Sequence, residues 1–119
     1  MIIVNRSTAA AINTPHGSRI TPLIDRTTSQ INKCSLAEEI LPAGCAVAPH
    51  RHRETEEVYY ILEGSGTMMV GEESRPVSGG DAIYIPIGMS HTLHNTGTEP
   101  LRLLLVCGPA YSYDDHIVE

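Results

Sequence analysis

The stretch HRHRETEE, His50 to Glu57, sets two imidazoles two residues apart and a carboxylate five residues after the second. On an extended strand, residues i and i+2 point the same way, so His50 and His52 can converge on one point. Glu57 lies an odd number of residues further on, and one continuous strand would send it to the opposite face. Arg53, Glu54 and Thr55 can turn the chain, however, and the alternation restarts on the next strand. Glu57 then opens that strand facing the same interior, with Glu56, on the face opposite Tyr59, as the neighbouring alternative. A third imidazole, His91, follows a Pro-x-Gly turn in GDAIYIPIGMSHTLHN. Three imidazoles and one carboxylate form a ligand set suited to Fe, Mn, Ni, Co or Zn. Four protein ligands leave two positions of an octahedral ion open, and open positions signal chemistry more than structure. His94 alternates away from His91 and is expected to face outward. His16 and His116, close to the two ends, are expected in solvent.

These side chains need strands to hold them. EVYYILEG reads as a strand closed by Gly64, GTMMVG as a second, and GGDAIYIP as a third that opens on a Gly-Gly-Asp turn and stops at Pro86. HTLHN and LRLLLVCG follow, separated by TGTEP. RITPLID is an edge or irregular strand because proline cannot donate to a ladder. INKCSLAEEILPAG fits either a helix, through Leu36, Ile40 and Leu41, or a strand. Short apolar runs with Gly and Pro between them predict an all-β sandwich or barrel. In EVYYILEG, Glu57, Tyr59 and Ile61 share one face and Val58, Tyr60 and Leu62 the other. LRLLLVC is also apolar on both faces, and such strands need cover on the outer side.

The bulk properties agree with one compact unit. The chain has 119 residues, 41% of them apolar, with no Trp and no Phe, so Ile, Leu, Val, Met and Tyr must build the core. A net charge of -6 with scattered basic residues speaks against a nucleic-acid or anionic-membrane surface. Cys34, Cys45 and Cys107 are odd in number and widely spaced, which fits reduced thiols in a cytoplasmic setting better than a disulfide framework. The N-terminal residues lack the pattern of a signal peptide, and no apolar run approaches the ~20 residues of a membrane span.

Two spaced patterns in the chain resemble those of the cupin superfamily. The first, G-x5-H-x-H-x3/4-E-x6-G, is filled at every position by Gly44, His50, His52, Glu57 and Gly64. The second, G-x5-P-x-G-x2-H-x3-N, is filled by Gly80, Pro86, Gly88, His91 and Asn95. The resemblance implies a small single-domain, RmlC-like cupin: a jelly-roll β-barrel, or double-stranded β-helix, over residues 1–119. Its motif core spans 44–95, with an N-terminal arm at 1–18 and a C-terminal tail at 108–119. It implies one divalent transition metal per chain (Fe, Mn, Ni, Co or Zn) on His50, His52, Glu57 and His91.

The resemblance carries over no particular reaction, since a shared fold is a poor guide to function. The expectation is an enzyme acting on a small oxygen-rich molecule, of carboxylate, enol or sugar type, by Lewis-acid metal chemistry of isomerase, lyase, decarboxylase or dioxygenase kind. The alternative is a non-catalytic module that binds a sugar or an acid at the same site. Candidates for a catalytic group are Tyr59, which shares a face with Glu57, and Tyr111 and Asp114 in the tail CGPAYSYDDHIVE, which is expected to dock over the barrel mouth. The expected partners are a small-molecule ligand and a second copy of the chain, with neither nucleic acid nor membrane.

Overall fold

The computed structural model describes residues 1–119, and its regular structure is β-strand apart from one short 3-10 turn at Tyr113–Asp115. The strands are β1 (Ile12–Asn13), β2 (Arg19–Ile24), β3 (Ser35–Leu41), β4 (His50–His52), β5 (Glu56–Glu63), β6 (Ser65–Val70), β7 (Glu73–Ser78), β8 (Ala82–Ile85), β9 (His91–His94), β10 (Leu101–Gly108) and β11 (His116–Val118). They form two antiparallel sheets, one of six strands in the order β1-β2-β3-β10-β5-β8 and one of five in the order β11-β4-β9-β6-β7. This is the jelly-roll arrangement that the two motifs imply. No helix is long and apolar enough to cross a membrane.

Strand alternation builds the interior. Along β5, Glu57, Tyr59 and Ile61 are buried while Val58 and Tyr60 are exposed. Leu101, Leu103 and Cys107 of β10 and Ile85 of β8 face the same space. Leu41, Val47, Met68 and Leu93 close the core with Tyr59, Ile61, Ile85, Leu101 and Leu103. Burial of a side chain of this size contributes about 1.5–3 kcal/mol, and this core is built without Phe or Trp.

The ambiguous segment around Leu36 is a strand. Ser35–Leu41 pairs along its length with β10 and along most of it with β2, and its helical spacing of apolar residues has no partner face to serve. Two acidic residues on it are buried. Glu38 accepts charge-assisted bonds from Arg6 at 2.8 Å and Arg102 at 3.0 Å. Glu39 accepts from Ser18 Oγ at 2.6 Å, and His16 Nε2 lies 2.8 Å from the same hydroxyl. The expectation of a solvated His16 is therefore corrected. It packs half-buried in the β1–β2 turn against β3, where a polar cluster satisfies Ser18 and Glu39. RITPLID is β2, and its register shifts between Pro22 and Ile24, where proline interrupts the ladder.

Candidate metal centre

The two motifs meet between the sheets. β4 presents His50 and His52 with Arg51 exposed between them, the alternation that the HRH spacing requires. His91 opens β9 and is the register partner of His50. Glu57 comes from the opposite sheet, where its neighbours are Cys107 on β10 and Ile85 on β8. All four side chains are buried, at 6% exposure or less. One ligand atom from each lies within 4.8 Å of the other three. Glu57 Oε1 stands 3.4 Å from His52 Nε2 and 3.3 Å from His91 Nε2.

Local structure sets the ring orientations. The His50 Nδ1–H donates to the Ala48 carbonyl at 2.9 Å, and the His91 Nδ1–H donates to the Met89 carbonyl at 3.0 Å. Each bond leaves Nε2 as the free nitrogen. His91 follows a turn in which the Met89 amide donates to the Pro86 carbonyl. Gly88 takes a φ of 76° there, the left-handed third position of a type II turn. The Gly88 amide donates to the His52 carbonyl at 2.8 Å, so the loop that delivers His91 is tied to the strand that carries the other two imidazoles.

The donor atoms are unusually poor in partners. His52 Nδ1 and Nε2, Glu57 Oε1 and His91 Nε2 are buried and make no hydrogen bond. Buried polar atoms without partners cost about 1–3 kcal/mol each, and three of these, His52 Nε2, His91 Nε2 and Glu57 Oε1, face one another and call for a common partner. Donors about 2.1 Å from a metal lie roughly 3–4 Å from one another, the spacing found at Glu57. The residues therefore fit a divalent transition metal in number, donor type, burial and separation.

At His50 and Glu57 the electrostatics favour the ligating forms. Burial, and next the neighbouring His91, lower the pKa of His50 to about 3, so its imidazole is neutral. Burial opposes ionisation of Glu57, but His52 and His91 outweigh it and hold the carboxyl at about 2. Burial also raises the Cys107 thiol above its ordinary range, helped by the Glu57 carboxylate 3.4 Å from its Sγ.

Glu56, the alternative to Glu57, points outward and accepts a hydrogen bond from the exposed Tyr84 hydroxyl. His94 is exposed, as its alternation predicts. Tyr59 is fully buried with its ring centroid 5.8 Å from that of His91. The tail is docked, and β11 pairs with β4 so that His116 lies opposite His52 and Val118 opposite His50. Tyr111 is part of this wall, its hydroxyl 3.1 Å from His116 Nδ1 and its ring 6.1 Å from that of His52. Asp114 is exposed on a surface groove of about 370 Å³ shared with Arg26 and Arg53, and its neighbour Asp115 is the tail carboxylate that faces His52.

His116 corrects the expectation of a solvated terminal histidine. Its ring stacks on that of His50 with centroids 4.4 Å apart. Nothing in the local sequence marks it, because the contact depends on β11 pairing with a strand more than sixty residues earlier.

A family model described as a cupin domain matches residues 37–107. An uncharacterized protein of Methanocaldococcus jannaschii is 42% identical over 102 residues, covering 86% of this chain and 82% of that protein. An oxalate-binding protein of Thermotoga maritima is 38% identical over 76 residues, 63% of each protein. Among solved structures, a predicted oxalate decarboxylase from Thermotoga maritima superposes with a TM-score of 0.83 at 25% identity, over 91% of this chain and 99% of the other.

Proposed function

The chain belongs to the cupin domain family, and on that premise we propose that it is a metal-dependent enzyme acting on a small carboxylate. The observation that carries the reading is the buried group of His50, His52, Glu57 and His91, three of whose donor atoms, His52 Nε2, Glu57 Oε1 and His91 Nε2, lack any other partner. These residues would hold one divalent transition metal, which supplies Lewis-acid stabilisation of negative charge on a ligand oxygen. Carboxylates are preferred among oxygen-rich ligands because an oxalate-binding protein and a predicted oxalate decarboxylase are among the relatives.

The protein's own groups limit what else the site can do. Burial keeps the Tyr59 hydroxyl protonated well above its ordinary range, and it holds Tyr111 up at about 12. Neither tyrosine is therefore a base near neutral pH, and the role open to the Tyr59 hydroxyl is donation to a ligand oxygen. Ile61, Ile85 and Leu93, buried in one cluster with Tyr59, keep the interior dry, which strengthens every charge interaction within it.

A second reading, a non-catalytic acid-binding module, draws on the name of the oxalate-binding relative. The test is metal analysis followed by turnover. Protein purified without chelators should carry about one metal per chain, His52→Ala should lose it, and His94→Ala should keep it. Equal loss in both variants, or in neither, removes the metal assignment. Protein reconstituted separately with Fe, Mn, Ni, Co and Zn is then assayed with oxalate, small keto acids and keto sugars. Turnover that drops in Tyr59→Phe while metal content holds supports the enzyme. Ligand binding without turnover in any metal form selects the binding module.

A further inference from the structure

Resting on the metal-site reading above, we propose that Asp115 is the positioning residue for His52, which makes the C-terminal tail a working part of the metal centre. The three imidazoles are not held alike. His50 and His91 each donate Nδ1–H to the backbone carbonyl two residues earlier, Ala48 and Met89. The Nδ1 of His52, on a side chain only 3% exposed, has no partner. Asp115 Oδ2 lies 3.7 Å from it. A histidine that ligates through Nε2 carries its proton on Nδ1, and that proton is ordinarily given to a carboxylate, carbonyl or water. Asp115 fills the place that a backbone carbonyl fills for the other two.

The carboxylate is itself held in position. Asp115 Oδ1 accepts the Glu54 amide at 2.7 Å and Oδ2 accepts the Thr55 amide at 3.2 Å. The Arg53 amide donates to the Asp115 carbonyl at 3.2 Å. The tail thus grips the loop 53–55, which joins the ligands His52 and Glu57. A closure of somewhat under 1 Å, to the ~2.8 Å of a charge-assisted bond, brings Asp115 Oδ2 onto His52 Nδ1. β11, which follows directly, keeps the carboxylate on the ligand-bearing strand by pairing with β4.

The experiment uses the full chain loaded with Zn and ¹⁵N-labelled at histidine. The Zn dissociation constant is measured by chelator competition for wild type, Asp115→Asn and Asp115→Ala, and the imidazole N–H signals are recorded by NMR. The expected result is a ~10–100-fold weaker affinity in both variants. It comes with loss of the slowly exchanging His52 Nδ1–H signal, while those of His50 and His91 persist. Affinity within threefold of wild type overturns the role of Asp115 and leaves the metal centre standing. Weakened affinity with the His52 signal intact assigns Asp115 to the loop alone and overturns the proposal. Wild type that binds no Zn overturns this proposal together with the metal reading. Should both variants fail to fold, the wild-type spectrum decides: a His52 Nδ1–H that exchanges freely with water excludes the bond.

Discussion

At Glu57 two opposing effects meet. Taking a carboxylate out of water favours its neutral form, yet the facing imidazoles hold it ionised to about pH 2, against 4.5 for a free carboxyl. At His50 burial and the neighbouring His91 outweigh the bond to the Ala48 carbonyl and the Glu57 charge, and the imidazole stays neutral down to about pH 3, against 6.5 for a free imidazole. Unfolding in acid therefore takes up protons at both residues, and acid favours the unfolded chain. The contribution of His50 is complete above pH 6.5 and is lost as pH falls toward 3. That of Glu57 is complete above pH 4.5 and is lost as pH falls toward 2. The melting temperature of the metal-free protein should drop by about 5 °C per pH unit for each proton taken up. A thermal scan series from neutral pH downward checks this, and His50→Gln should flatten the upper part of the slope. A melting temperature independent of pH across the window contradicts the assignment of buried neutral His50.

The element that matters most beyond the ligands is the connection from β9 to β10. Asn95 is completely buried in it, its Nδ2 donating to the Leu41 and Glu99 carbonyls at 2.8 Å each and its Oδ1 accepting the Gly97 amide at 3.0 Å. It thereby pins the end of β9 to the end of β3. Asn95→Ala should cost about 2–4 kcal/mol, since it leaves buried carbonyls without donors. Metal stoichiometry should be unchanged, because no ligand touches it. Denaturant titration and metal analysis of the same preparation separate the two effects, and loss of metal at unchanged stability would show the reverse. Gly64 is constrained in a different way. Its φ is 93°, and a Cβ there would stand 2.7 Å from the Pro100 carbonyl oxygen and 2.8 Å from Leu101 Cα. Gly64→Ala should therefore destabilise by at least about 1–2 kcal/mol, read as a lowered denaturation midpoint. Like Asn95→Ala, it acts on the frame and leaves the ligand set intact.

Across the whole molecule, one surface stands out. On the outer face of the six-stranded sheet Val106, Val58 and Tyr84 lie side by side across three strands, at 38%, 37% and 60% exposure. Leu104 and Tyr60 form the adjacent row, with Tyr60 40% exposed. A contiguous apolar patch on a small domain marks an interaction site more often than a tolerated surface. We propose that a second copy of the chain covers it. Light scattering at micromolar concentration should give twice the chain mass, and Tyr60→Glu should return it to the monomer mass. A monomer in the wild type removes the proposal.

The residues that would hold a metal were legible in the sequence because their evidence is local. A strand of period two aligns His50 with His52, a short turn resets the alternation before Glu57, and a Pro-x-Gly turn precedes His91. The central strands were legible for the same reason, as apolar runs bounded by glycine and proline. What stayed hidden depends on pairing between distant segments. β7, with its residues largely exposed, has no apolar period, and only the ladder to β6 makes it a strand. Ser35–Leu41 carries a helical spacing that pairing with β10 and β2 overrides. The burial of Glu38 and Glu39 depends on Arg6, Ser18 and Arg102 arriving from elsewhere in the chain. The tail is the clearest case. Nothing in YSYDDHIVE distinguishes Asp115 from Asp114 or predicts His116 against His50, because β11 acquires its register only from β4. Spacing along the chain decided which atoms could bind a metal, and contact between segments far apart in sequence decided which atoms surround them.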